Sequence, residues 1–149
     1  MSEDKQFCTF YLDQLFFGVE VAKVQEVFRY QEMTSVPLSS RVVKGLINLR
    51  GQIITAIDLR RRLEMPDLPS DRLPMNVVVR TDEGVVSLLV DEIGDVLEVP
   101  AASHERVPDT VNGVTRELVS GVYKLKDHLL LILDTNKVLR YEPIVAIQP

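Results

Sequence analysis

Any chemistry in this chain has to come from a short inventory. Its 149 residues include one cysteine, Cys8, and two histidines, His104 and His128. His104 lies in a polar stretch and His128 in a turn between apolar runs. Neither has an acid or a nucleophile at a motif spacing. A zinc centre takes three or four Cys, His or carboxylate ligands, so no metal site is expected. Asp91, Glu92, Asp95 and Glu98 could pair for acid–base work, but they alternate with Ile93, Val96 and Leu97 and read as solvent-facing. The glycines form neither a phosphate-cradling loop nor a dinucleotide fingerprint, and no Gly-x-Ser-x-Gly elbow occurs. These residues point away from an enzyme and away from a bound cofactor.

Charge is the next candidate. Arg41, Lys44, Arg50, Arg60, Arg61 and Arg62 stand against a single acid, Asp58, so this segment carries +5 in a chain of net charge −5. A basic segment on an acidic body fits nucleic acid or an acidic protein, and a solvated face is the plainer reading. Single-strand binders add stacking aromatics to a basic groove. Here the nearest aromatics, Phe28 and Tyr30, lie outside the run, and Arg60 to Arg62 splay around a helix. Nucleic acid is therefore not the expected partner.

The elements that must position these residues come in two copies. Gly45-Leu46-Ile47-Asn48-Leu49-Arg50-Gly51-Gln52-Ile53-Ile54-Thr55-Ala56-Ile57-Asp58 returns later in the chain as Gly121-Val122-Tyr123-Lys124-Leu125-Lys126-Asp127-His128-Leu129-Leu130-Leu131-Ile132-Leu133-Asp134. Upstream, Phe17 to Val21 with Val24, Val27 and Phe28 matches Val86 to Val90 with Ile93, Val96 and Leu97, at a slightly smaller offset. The segment between the matching blocks runs from Gln31 to Lys44 in the first half and from Pro100 to Ser120 in the second. The second is the longer, and that one insertion accounts for both offsets. A fixed-period repeat means two related structural units.

Aromatic and β-branched runs make Phe7 to Leu12, Phe16 to Val21, Val42 to Leu49, Gln52 to Ile57, Asn76 to Arg80 and Val85 to Val90 strands. Val24 to Phe28 could be a helical turn or a strand. Asp13-Gln14, Arg50-Gly51 and Thr81 to Gly84 are hairpin turns, and Asp58 and Asp134 are placed to cap short helices. Ala101 to Gly113 reads as a surface loop. Met65 to Pro74 holds three prolines and reads as a linker, 65–74, between halves 7–64 and 75–140 of one domain spanning 1–149, with strand exchange between the halves left open. Short strands at this spacing predict a mainly all-β fold: two small antiparallel β-barrels of about five strands each, packed together, with short helical turns. The longest apolar run, Leu129 to Leu133, is far short of the roughly 20 residues of a membrane span. The polar start is no signal peptide, and one cysteine suits a reducing cytoplasm.

Specific residues carry a family resemblance. Lys23-Val24-Gln25-Glu26-Val27, then Val43-Lys44-Gly45-Leu46-Ile47-Asn48-Leu49-Arg50-Gly51 and Ile57-Asp58-Leu59-Arg60, resemble the signature of the CheW chemotaxis coupling family. Val90-Asp91 with Val96, and Leu130 to Asp134, are similar to its second half, so the resemblance spans about residues 7–140. It implies two SH3-like five-stranded barrels and no catalysis. The implied role is an adaptor, recruited to membrane receptor arrays, between methyl-accepting receptors and a CheA-type histidine kinase. Kinase and adaptor would alternate in rings, and the receptor's helical tip would lie in a groove between the barrels. The motif positions transfer to Val24, Glu26, Gly45, Asn48, Arg50 and Gly51, with Val27 as a further groove residue, and no kinase-contact residue is implied. Service in another chemosensory pathway, such as pilus motility, fits the same resemblance. Two further expectations follow: an ion pair between Glu26 and Arg50 bracing the Asn48–Gly51 turn, and an echo of it between Asp95 and Lys126. A terminal helix carried by some members is expected to be short or missing after Arg140.

Overall fold

The computed structural model describes residues 4–141. The expected terminal helix falls on residues 142–149, outside them. Among the described residues, eleven strands and three short α-helices follow in order: β1 (Lys5–Leu12), β2 (Leu15–Glu20), β3 (Val24–Phe28), β4 (Val43–Leu49), β5 (Gln52–Asp58), α1 (Leu59–Arg62), β6 (Met75–Thr81), β7 (Gly84–Val90), β8 (Glu92–Val99), β9 (His104–Glu105), α2 (Gly113–Leu118), β10 (Val119–Lys124), β11 (Leu129–Leu133) and α3 (Thr135–Val138). The mainly β expectation in two packed units holds. Val24 to Phe28 resolves as a strand. The stretch read as a loop contains β9, and the longer second half also contains a helix, α2.

The first sheet runs β8-β1-β2-β11-β10-β9 and the second β3-β6-β7-β5-β4. Most neighbours are antiparallel. The exceptions, β11 with β2 and β5 with β7, are parallel. The sheets cut across the sequence halves. β3 leaves the first two strands to pair with β6, and β8 leaves β7 to pair with β1. The proline-rich segment joins β5 to β6, which lie in the same sheet. The chain crosses between sheets at Val21–Lys23, a 3-10 turn, and again at Asp91. These crossings are themselves copies: Ala22 and Asp91 are equivalent in the register that matches Phe17 with Val86.

Alternation along the strands sets the packing. Phe10 and Leu12 of β1 and Phe17 and Val19 of β2 meet Ile57, Val77, Val79, Leu88 and Val90 of the other sheet in one shared core. Phe7, Phe16, Tyr123 and Leu130 form a separate cluster within the first sheet. Each fully buried side chain of this size contributes about 1.5–3 kcal/mol, so the shared core is the main adhesive between the sheets.

Both sheets close in the same way. Past β3, Thr34 folds back to pair with Leu46 of β4, with N···O distances of 2.9 and 2.8 Å. Past β8, His104–Glu105 pairs with Tyr123 and Val122 of β10. A glycine permits each return. A Cβ on Gly45 would stand 2.7 Å from the Thr34 carbonyl oxygen, and one on Gly121 would stand 2.7 Å from Nε2 of His104.

Candidate functional site

The site builds around the β4–β5 hairpin. Arg50 and Gly51 both take positive φ, +52° and +86°, as a two-residue turn matched to strand twist requires. Glycine adopts this readily and arginine does not, so Arg50 needs support. Asn48 supplies some of it, its Oδ1 accepting from the Gly51 N–H at 2.9 Å. Gln31 adds more, its Nε2 donating to the Asn48 carbonyl at 2.8 Å. Glu26 supplies the rest. The Arg50 guanidinium donates Nη1–H to Oε1 at 2.6 Å and Nη2–H to Oε2 at 2.8 Å.

That fork-to-fork contact is the expected ion pair. Glu26 holds the Arg50 guanidinium above its ordinary pKa, and the Arg50 hydrogen bonds hold the Glu26 carboxyl below the usual range. The pair lies at the surface, with the Arg50 side chain 73% exposed, so its role is positional. β3 and β4 are the two edges of the second sheet. The pair therefore joins one edge strand to the hairpin at the other.

The predicted site residues separate into three settings. Glu26, Asn48, Arg50 and Gly51 come together at the hairpin. Val24 is half-buried against the shared core, while Val27 is 42% exposed. Gly45 is buried beneath Thr34, where its role is a packing requirement. Val96, which matches Val27 in the repeat, is also exposed on the edge strand of the other sheet. Ile53 adds an exposed apolar side chain just past the hairpin.

The echo does not form. Among the described residues, Asp95 and Lys126 make no ion pair. The strand carrying Asp95 shifts register between Cys8 and Phe10 of its neighbour, and the Asp95 carbonyl accepts from the Thr9 hydroxyl.

Two other readings change. Asp91 does not face solvent; it is buried with Arg60. Arg60 donates Nε–H to Asp91 Oδ1 at 2.7 Å and Nη2–H to Oδ2 at 2.6 Å. Its Nη2 also reaches Asp13 Oδ1 at 2.7 Å, and Nη1 the Pro66 carbonyl at 2.7 Å. Hydrogen bonding to Asp91 raises the Arg60 pKa strongly. Burial alone would push Asp91 up, but Arg60 and the Asp13 N–H outweigh it and hold the carboxyl below its usual range.

Arg50, Arg60, Arg61 and Arg62 of the basic segment are accordingly engaged within the fold. Arg61 pairs with Asp67 at 3.1 Å. Arg62 donates to the carbonyls of Val138, Lys137 and Arg140 at the end of α3. Burial lowers the Arg62 pKa, against the direction in Arg60, because carbonyls rather than carboxylates receive it. The signal for this node was present: Arg60 and Asp91 both lie in the resemblance blocks, and Arg60 stands between apolar Leu59 and Leu63. What it lacked was any indication that the two meet.

No group of three or more potential metal-ligating side chains occurs among the described residues. No helix among them is long and apolar enough to cross a membrane. The cavity beneath the proline-rich segment, about 340 Å³, is lined by Tyr30, Met33, Leu68, Leu73 and Leu89 along with Arg60 and Asp91.

The fold and hairpin define a class: a mainly β chain of two packed sheets with a braced hairpin at one sheet edge. A family model described as CheW-like domain matches residues 6–142, and the chain belongs to that family. It is 31% identical over 126 residues to the chemotaxis protein CheW of Bacillus subtilis, covering 85% of this chain and 81% of that one. It is 28% identical over 143 residues to the chemotaxis protein CheW of Klebsiella aerogenes, covering 96% and 86%. The crystal structure of the scaffolding protein TtCheW from Thermoanaerobacter tengcongensis superposes with a TM-score of 0.84 at 25% identity, over 94% of this chain and 95% of that one.

Proposed function

We propose that this chain is a non-enzymatic cytoplasmic adaptor that couples methyl-accepting chemotaxis receptors to a CheA-type histidine kinase. The observation that carries the reading is the braced hairpin. Glu26 and Arg50 lock a positive-φ turn at one edge of the second sheet, with Val27 and Ile53 exposed. An apolar surface beside a fixed polar pair suits a helical tip laid in a groove. Val24, Glu26, Val27, Asn48, Arg50 and Gly51 form the receptor-facing set. Gly45 serves it from beneath by letting the segment after β3 close the sheet.

A coupler holds two partners at once, so the kinase needs a different face. Each contact can be weak and still hold within an array, because tethering raises the effective concentration of the second partner. Kinase and adaptor alternating in rings beneath the receptors is the arrangement this reading favours.

The experiment is a pull-down from the protein's own cells with wild type and Arg50→Ala. Wild type is expected to recover both a receptor and a kinase, and Arg50→Ala to lose the receptor while keeping the kinase. Recovery of neither by wild type overturns the reading.

A further inference from the structure

The repeat extends to the ties between the sheets, and there the copies differ. Asp13 in the β1–β2 turn and Asp82 in the β6–β7 turn are equivalent in the register that matches Phe17 with Val86. Arg60 in α1 and Asn136 in α3 are equivalent in the register that matches Gly45 with Gly121. In each copy the short helix following a parallel strand reaches the hairpin of the other sheet. Arg60 contacts the Asp13 carboxylate, and Asn136 Oδ1 accepts from the Asp82 N–H at 2.8 Å.

The two ties are unequal. On one side the Arg60 guanidinium makes four buried or half-buried bonds, and Asp91 Oδ2 also accepts from the Asp13 N–H at 2.7 Å. Asp91 is itself the residue where the chain crosses between sheets, and its N–H donates to the Tyr11 carbonyl at 3.0 Å. On the other side the crossing residue is Ala22, whose methyl group cannot hydrogen-bond. There Asn136 offers one exposed hydrogen bond, and the Ala22 carbonyl takes one from Arg80 at 3.2 Å; the three bonds from Arg62 of α1 to the carbonyls at the end of α3 join the two helices but touch neither crossing residue. The shared apolar core is non-directional and resists sliding less specifically than fixed hydrogen bonds do.

We infer that the seam between the sheets is a one-sided hinge, pivoting at Arg60–Asp91 and yielding at the Ala22 crossing. The yielding crossing runs directly into β3, which starts at Val24 and carries Glu26 and Val27. A partner seated on β3 therefore pulls on the side of the seam that can give, and the second sheet turns about the Arg60 node relative to the first. Small rigid-body shifts of packed elements are an established form of signal transfer. The link to a partner rests on the proposed receptor site; the asymmetry of the hinge does not.

Hydrogen–deuterium exchange on the full chain tests it in two arms. Without a partner, Arg60→Lys keeps the charge but loses the fork. It is expected to speed exchange at Asp13–Leu15 and at Asp91–Ile93 about tenfold, leaving Val21–Val24 unchanged. No change at Asp13–Leu15, or the same change at both crossings, overturns the hinge. If that variant does not fold, Asp13→Asn weakens one contact only, taking away its charge and leaving a neutral oxygen acceptor, and must show the same one-sided pattern more weakly. In the second arm a cytoplasmic fragment of a methyl-accepting receptor is added to wild type. Exchange should change at Val21–Val24 and Asp82–Gly84 but not at Asp13 and Asp91; equal changes on both sides overturn the pivot. Failure of the fragment to bind counts against the receptor reading alone, and the first arm then decides the hinge.

Discussion

Glu26 and Arg50 are 24 residues apart in sequence and joined by two hydrogen bonds of 2.6 and 2.8 Å, linking an edge strand of the second sheet to the hairpin at its opposite edge. Because both groups face water, the contact orients the hairpin more than it stabilises the fold. Arg50→Ala should leave the thermal midpoint nearly unchanged while weakening receptor capture in a pull-down. Arg50→Lys keeps the charge but cannot form the fork, so it should recover binding only in part. Full binding by Arg50→Ala would remove the hairpin from the site.

The two sheet-closing glycines should differ in sensitivity. A methyl group on Gly45 meets the Thr34 backbone carbonyl, while one on Gly121 meets the His104 ring, which can swing aside. Gly45→Ala is expected to cost about 1–3 kcal/mol, as overpacking does, and Gly121→Ala distinctly less. Urea unfolding of the two variants makes the comparison, and equal losses would mean that His104 is as fixed as backbone.

Removing one member of the buried node should be severe. With the Arg60 and Asp91 side chains only 7% and 4% exposed, Asp91→Ala takes the buried partner from a buried guanidinium and leaves it only the half-exposed Asp13 carboxylate. It should lower stability by about 3–5 kcal/mol. Replacing Arg60 and Asp91 together by apolar residues should cost less than Asp91→Ala alone, since neither charge is then left without its partner. Chemical denaturation of the single and double variants distinguishes this from simple loss of packing.

The same node sets an acid dependence. The Asp91 carboxyl is held below its ordinary range in the folded chain, so the unfolded state binds a proton more readily. Its contribution is therefore complete above the unfolded value of about 4 and is lost as pH falls through the lower folded value. Thermal midpoints should drop on acidification below about pH 4, and Asp91→Asn should flatten that part of the profile. An unchanged slope in Asp91→Asn would place the acid sensitivity elsewhere.

Asp58 and Asp134 hold the first turns of α1 and α3 by accepting from the Arg61 N–H and from the Asn136 and Lys137 N–H groups. Loss of such a cap costs about 1 kcal/mol. Asp58→Ala should also loosen the Arg60 node, because Arg60 sits in the turn that Asp58 caps. Its effect on exchange at Asp13 should therefore exceed that of Asp134→Ala.

The local elements of this protein are legible in its residues alone. Alternation and β-branched runs specify the strands, Arg50-Gly51 the tight hairpin, and Asp58 and Asp134 the helix caps, because each depends on residues within a few positions of one another. The repeat announces two related units, and the Glu26–Arg50 pair is legible because both residues belong to the same copy of the motif. Which strand pairs with which emerges only in three dimensions. The β1–β2 and β6–β7 hairpins change places between sequence halves, since a strand's edge carries the same backbone groups whatever its origin and the shared core selects the partner. The fate of the charges is settled there too. Asp91 and Arg60, 31 residues apart in sequence, read as surface residues until the crossing between sheets buries them against Asp13. Asp95 and Lys126, matched in sequence to Glu26 and Arg50, stay apart. Burial and pairing of a charge depend on which distant segments converge on it, and residue type and spacing do not encode that convergence locally.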